Sequence, residues 1–315
     1  MENKKNICKI CANKKNNTKL YAKEMMLGLG HTFEYLECGY CHALSLTEIP
    51  EDMGEYYPEY YYSYTRILGK DSRLEPLKYL LRYSAMKGRL GCGNSLDRLV
   101  SKYKNTAYLW LKNTILTLES PILDVGCGNG ALLYDMQKYG FSNLTGIDLY
   151  VKEEILEQNI RILQKDISTL ESKTYTLIMY HHSFEHIINP HKELEILYHK
   201  LKDEGTLLIR IPLCDSYAFR KYREYWVQLD APRHTFLHTI KSMYILAEKH
   251  HFRIEELVYD STSFQFTGSE AYLQNSSIKV SPKFFDEKAK ELNELHDGDS
   301  ACFYLKKISI KKDLL

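Results

Sequence analysis

Ile122-Leu123-Asp124-Val125-Gly126-Cys127-Gly128-Asn129-Gly130 is the stretch whose reading decides the fold. It opens as a short buried-strand pattern and closes as a glycine loop ahead of a helical pattern beginning near Ala131. Open α/β sheets build nucleotide sites at such a strand–turn–helix junction. Glycine at 126, 128 and 130 lets a ligand come close to the backbone. The spacing is G-x-G-x-G, which is neither the G-x-G-x-x-G of dinucleotide folds nor a Walker loop with its lysine, so a ligand bound without phosphate contacts is favoured.

Working outward, the run Asn143-Leu144-Thr145-Gly146-Ile147-Asp148 places a carboxylate at the end of the next strand pattern. Asp148 is positioned to accept hydrogen bonds from both hydroxyls of a ribose. One strand later, Leu163-Gln164-Lys165-Asp166-Ile167 supplies a further acid, Asp166, suited to accept from an adenine amino group. From Pro121 onward apolar runs alternate with helical patterns, as in a parallel sheet wound with helices. The spacing predicts strands at 121–126, 143–148, 160–164, 174–180, 205–211, 254–259 and 301–307. Helices are expected near 130–139, 151–158, 191–202 and 240–251.

Leu123–Gly130, Gly146–Asp148, Asp166–Ile167 and Leu201–Pro212 taken together resemble the successive motifs of class I S-adenosylmethionine-dependent methyltransferases, over roughly residues 110–260. The resemblance implies an α/β, Rossmann-like sheet of seven strands in the order 3-2-1-4-5-7-6, with the last strand antiparallel. It also implies S-adenosylmethionine as cofactor. Asp124 would then lie near the cofactor's ammonium, amides after Gly128 would face its carboxylate, and Gly126, Gly128, Gly130, Asp148, Asp166, Ile167 and His181 would complete the cofactor contacts.

Two further segments point to the acceptor. His181-His182-Ser183-Phe184-Glu185-His186 follows the 174–180 strand. It formally contains H-x-x-E-H, but metalloprotease chemistry needs that pattern on a helix face, and here it leaves a strand end. Glu185-His186 with Asn189-Pro190 is similar to the "LEH…DP" segment of methyltransferases acting on small molecules. The second segment, Asp230-Ala231-Pro232-Arg233-His234, is similar to a D-x-P-R-H feature of the same group. His234, His186 and Glu185 are the candidate catalytic residues: His234 as the proton acceptor when an oxygen nucleophile attacks the sulfonium methyl, with Arg233 free to pair with a substrate carboxylate or phosphate; for His186 and Glu185 a hydrogen-bonded structural role at the loop is the alternative. An Asp230–Arg233 loop clamp is the structural alternative.

Cys8-x-x-Cys11 and Cys38-x-x-Cys41 have the spacing of two knuckles that supply four thiolates to one tetrahedral zinc ion, a closed site that supports folding rather than chemistry. Cys92, Cys127, Cys214 and Cys302 show no such pairing and read as inert thiols.

These features divide the 315 residues into a zinc-ribbon-like module over 1–47, a tyrosine-rich and helical region over 48–112, and a methyltransferase domain over 113–315 with an insertion at about 261–300. In the middle region an acidic, aromatic patch from Glu48 to Tyr64 precedes residues 64–104, where ten Lys/Arg face three Asp/Glu and leucines fall at helical spacing. The expected activity is methyl transfer to a small hydroxylated acceptor, a sugar or surface-polysaccharide intermediate, with O-methylation preferred. The alternatives are an RNA base methyltransferase carrying a zinc ribbon and a noncatalytic cofactor-binding protein. A net charge of +1 counts against the RNA reading, since phosphate-gripping proteins carry a basic excess. With no apolar leader and no run long enough to span a bilayer, a cytoplasmic location without a membrane span is expected.

Overall fold

The computed structural model describes residues 6–58, 75–103, 108, 110–111, 114–273 and 282–309. Tyr60, Tyr61, Tyr62 and Tyr64 of the tyrosine-rich patch, and Asn275 of the 261–300 segment, lie outside these residues.

In chain order the elements are β1 (Thr18–Lys23), β2 (Thr32–Glu37), β3 (Leu44–Leu46), α1 (Glu75–Arg89), α2 (Ser95–Tyr103), β4 (Ile122–Val125), α3 (Ala131–Gln137), β5 (Leu144–Ile147), β6 (Ile155–Leu156) and β7 (Ile160–Leu163). There follow β8 (Tyr175–His181), α4 (Pro190–Lys200), β9 (Leu201–Pro212), α5 (Tyr217–Tyr222), β10 (Phe236–Leu237), α6 (Ile240–Lys249), β11 (Phe252–Tyr259), α7 (Phe264–Tyr272), α8 (Pro282–Glu294) and β12 (Ser300–Lys307). Eight strands form one mixed sheet in the order β11-β12-β9-β8-β4-β5-β7-β6. Seven of them stand in the order expected from the sequence, and β4 pairs in parallel with both β5 and β8.

The eighth strand corrects one expectation. The helix expected at 151–158 is absent; Ile155 and Leu156 instead pair antiparallel with Ile162 and Arg161 of β7. A tight turn closes this hairpin, with the Glu157 amide donating to the Ile160 carbonyl at 2.9 Å. Side chains fix both flanks: Asp148 accepts from the Tyr150 amide at 2.8 Å and Glu154 from the Gln164 amide at 3.1 Å. So short a connection leaves no length for a helix once both acids have tied it into turns.

Packing groups the chain into two units. One comprises Glu59–His181, Ile196–Leu208 and Tyr304–Leu315. Its core is made by fully buried strand residues such as Ile122, Leu123, Ile160, Leu177 and Ile178, with Leu133 and Met136 of α3 against them. Here Gly91 and Gly93 lie in the break between α1 and α2. Asn94 and Asp97 cap the second helix reciprocally, amide to carboxylate at 3.0 Å and amide to side-chain carbonyl at 2.9 Å.

The other unit comprises Met1–Pro58, His182–Glu195 and Ile209–Phe303. It contains a four-stranded sheet, β1-β2-β3-β10, in which Phe236 and Leu237 pair antiparallel with Ser45 and Leu44. Tyr35, Leu44, Phe219, Trp226, Leu237 and Phe266 share one apolar cluster. The N-terminal strands are therefore packed together with the segment that follows Asp230–His234. Within the 261–300 insertion, α8 sends Ala289 and Leu292 into that cluster.

Candidate functional site

In the first unit, β4 ends in a loop built on glycine. Gly126, Gly128 and Gly130 have φ of +74°, +52° and +75°, a region closed to most side chains. At Gly130 an added Cβ would come within 2.1 Å of the Ile162 side-chain end on β7, which would have to shift, and the φ of +75° is strained for any side chain. The Gly128 amide donates to Asp148 at 3.0 Å, which ties the loop to the end of β5. Asp124 is 3% exposed, and burial together with the Asp148 charge pushes its carboxyl up to about 8. An ammonium group held there would stabilise the ionised form.

Asp166 caps the turn Ile167–Thr169, accepting from the Ser168 amide at 2.9 Å, and is solvent-exposed; Ile167 is buried. His181 ends β8 with its ring packed edge-on against Trp110, centroids 4.8 Å apart. An S-adenosyl cofactor fits this set of acids, Asp124 on β4, Asp148 after β5 and Asp166 after β7, beside a loop whose glycines leave its backbone open to close approach.

The second unit holds a histidine–carboxylate cluster. Residues 184–186 form a single 3-10 turn rather than an α-helix, so the H-x-x-E-H metalloprotease geometry does not arise. Glu185 is fully buried and neither of its oxygens has a hydrogen-bond partner. His182 Nδ1 lies 3.7 Å and His234 Nε2 3.9 Å from it. Burial raises its carboxyl, and the His182 contact, with any positive charge on His234 and His186, lowers it.

His186 Nδ1 lies 2.8 Å from the Arg233 carbonyl and 3.2 Å from the Tyr57 hydroxyl. His234 Nδ1 lies 2.7 Å from the Gln228 carbonyl. A carbonyl only accepts, so in both rings Nδ1 carries the proton and the neutral imidazole has its lone pair at Nε2. Burial, with His186 nearby, depresses the His234 pKa below its ordinary value and keeps that ring neutral near pH 7.

Arg233 is not available to a substrate anion. It is fully buried; its Nε meets Asp230 at 3.0 Å, and its Nη2 meets Asp230 at 2.5 Å and Glu24 at 3.0 Å. The loop-clamp alternative describes its place, extended by a carboxylate from the N-terminal strands. The peptide Ala231–Pro232 between clamp partners is cis.

In the same unit Cys8, Cys11, Cys38 and Cys41 present sulfurs all within 4.8 Å of one another. The Cys8–Cys41 and Cys11–Cys38 pairs are 3.7 and 3.5 Å apart, close to the edge of a tetrahedron with metal–sulfur bonds of about 2.3 Å. Amides of Ile10, Tyr40 and Cys41 donate to these sulfurs, each at 3.4 Å. The four residues therefore fit a tetrahedral thiolate-bound ion. Crowding makes the thiols share protons: the Cys41 contact draws Cys8 down to about 5, while burial pushes Cys11 up to about 11.

Residues 96–257 match the family model described as a methyltransferase domain. The chain belongs to the methyltransferase-domain family. Among curated proteins, this methyltransferase-domain chain is similar to mouse EEF1A lysine methyltransferase 2, 30% identical over 126 residues that cover 40% of this chain and 46% of that protein. The human protein of that name is 32% identical over 78 residues, 22% of this chain and 33% of its own length. The matches thus span less than half the length of these relatives. Among solved structures, the [4+2]-cyclase SpnF aligns with TM-score 0.47 at 13% identity, over 78% of this chain and 98% of that one. The geranyl diphosphate C-methyltransferase of Streptomyces coelicolor aligns with TM-score 0.42 at 12% identity, over 68% and 79%.

Several residues of this methyltransferase-domain chain that shape the second cluster carry no motif. Glu24, Tyr57 and Gln228 reach it only through folding, and Tyr35 donates its buried hydroxyl to the His234 carbonyl at 2.8 Å. No local spacing signals such partners.

Proposed function

We propose that this chain transfers the methyl group of S-adenosylmethionine to a small hydroxylated acceptor of the sugar type, by O-methylation. The observation that carries the cofactor half is the Gly128–Asp148 hydrogen bond of 3.0 Å, which ties the glycine loop to the acid expected to take the ribose. Gly126, Gly128 and Gly130 admit the ligand to the backbone, Asp124 takes its ammonium, Asp148 the ribose and Asp166 the adenine amino group, with Ile167 and His181 completing the contacts.

In this reading catalysis is mostly positioning of nucleophile and methyl. His234 Nε2 and His186 Nε2 are the lone pairs that accept the acceptor's proton, and Glu185 stabilises the imidazolium that results. The supporting observation is their common tautomer, set by two backbone carbonyls. We also assign a structural zinc to Cys8, Cys11, Cys38 and Cys41, supported by sulfur spacings that suit one tetrahedral ion.

A second reading has a specific observation behind it: the mouse and human relatives are named as lysine methyltransferases, so the acceptor would be a protein amine. The discriminating experiment supplies labelled S-adenosylmethionine and a cell extract separated into small-molecule, polysaccharide, protein and nuclease-sensitive fractions, with Asp148→Ala as control. Label in the small-molecule or polysaccharide fraction supports the first reading, label in protein the second, and label released by nuclease an RNA enzyme. No label above the control in any fraction overturns methyl transfer.

A further inference from the structure

We propose that Glu185, His186 and His234 form a second metal site, a two-histidine, one-carboxylate centre for a divalent transition-metal ion, with coordination positions left open to an acceptor oxygen. One donor atom from each residue lies within 4.8 Å of the other two.

The first argument is the carboxylate. Glu185 is 0% exposed and both its oxygens lack hydrogen-bond donors, although a buried carboxylate ordinarily collects two or three. Two imidazole nitrogens face it, His182 Nδ1 at 3.7 Å and His234 Nε2 at 3.9 Å. These are too long for hydrogen bonds, and they leave a gap of the size that a bridging cation closes.

The second argument is the presentation of the lone pairs. The Arg233 carbonyl at 2.8 Å from His186 Nδ1 and the Gln228 carbonyl at 2.7 Å from His234 Nδ1 fix both rings with Nε2 unprotonated. Metal-bound histidines are oriented in this way, with the distal N–H given to a backbone carbonyl. The rings stand 4.8 Å apart at 67°, so the two are neither stacked nor coplanar.

The third argument is the setting. His234 Nε2 stands between two carboxylates, Glu185 at 3.9 Å and Asp230 at 3.8 Å, acidic surroundings that suit a cation. Bonds of about 2.0–2.2 Å would draw the three donors in by about 1 Å, a movement within reach of side-chain adjustment. Two nitrogens and one oxygen favour a first-row transition ion over magnesium or calcium, and three protein ligands leave a place for substrate or water.

This inference goes beyond the methyl-transfer reading and does not depend on the cofactor loop. With the ion bound, the two imidazoles would serve as ligands in place of the proton acceptors proposed above, and a hydroxyl on the open position, its pKa lowered by the ion, would give its proton to solvent water.

The test is titration of Co²⁺ into the full-length protein, with one equivalent of zinc already on the cysteines, followed by visible absorption. One equivalent of Co²⁺ is expected to bind with ligand-field bands and without a thiolate charge-transfer band. Glu185→Gln and His234→Asn are each expected to weaken that binding at least tenfold, while binding of S-adenosylhomocysteine confirms that both variants are folded. Absence of bound Co²⁺, a thiolate band showing that cobalt has only displaced zinc, or binding unchanged in both variants overturns the site. S-adenosylhomocysteine binding to wild-type protein without Co²⁺ leaves the methyltransferase reading standing in each of these cases.

Discussion

Glu24 and Arg233, 209 positions apart in the chain, meet as an ion pair of 3.0 Å with both side chains at 0% exposure. The partner carboxylate sits in the turn between β1 and β2, where it also accepts the Leu27 and Leu29 amides at 2.8 and 2.9 Å. Arg233 in turn presents its carbonyl to His186 and precedes His234. The turn between β1 and β2 thus holds the loop that carries a candidate catalytic histidine.

Removing one member of a buried pair leaves an uncompensated charge, so Glu24→Ala is expected to lower the unfolding free energy by about 3–5 kcal/mol. Glu24→Ala combined with Arg233→Met should cost less than the single change. Urea unfolding of the three proteins checks this; a loss under about 1 kcal/mol for the single variant would contradict it.

Cofactor affinity should depend on pH through Asp124, whose carboxyl burial raises to about 8. A bound ammonium requires the ionised form, so the group must release its proton on binding when the pH is below that value. Affinity for S-adenosylhomocysteine is expected to fall about tenfold per pH unit below pH ~8 and to level off above it. Asp124→Asn should flatten the profile and weaken binding at high pH. Titration calorimetry between pH 6 and 9 as the working range measures both, and equal slopes for the two proteins would remove Asp124 from the site.

Gly130 tests the loop sterically. Alanine there meets Ile162 at 2.1 Å in a backbone region with φ of +75°, so Gly130→Ala is expected to cost about 1–3 kcal/mol of stability and at least tenfold in cofactor affinity. Gly130→Ala together with Ile162→Val relieves the clash in part, and should recover part of the stability. No difference between single and double variants would place the strain elsewhere.

The strands and loops of this end of the sheet were legible because their pattern is local: a glycine loop between β4 and α3, then acids after β5 and β7. Sheet order followed from the same motifs. What escaped the sequence reading depends on contacts between distant segments. A two-residue strand, Phe236–Leu237, has no detectable periodicity, yet it joins the N-terminal sheet to the 226–234 loop. Arg233 looked available for an anion because its second carboxylate lies near the other end of the chain. The Ile155–Leu156 hairpin was missed because two side-chain-capped turns override a weak helical pattern.

Chelation probes the cysteine cluster. Loss of the thiolate-bound ion is expected to expose four reactive thiols and to destabilise the strands around Cys8 and Cys41, since structural zinc contributes folding free energy directly. Cys41 is tied to the rest of its unit through the Thr239 hydroxyl, which donates to the Cys41 carbonyl at 2.6 Å. Thiol titration with and without chelator, and the melting temperature alongside, measure the effect; unchanged thiol reactivity would mean that no ion is held.

The most direct test of the cofactor assignment is calorimetric titration of S-adenosylhomocysteine into wild-type protein and Asp148→Ala. One equivalent bound by the wild type, with affinity reduced at least tenfold in the variant, is the expected result. No measurable binding to the folded wild-type protein, or equal binding by both proteins, would contradict it.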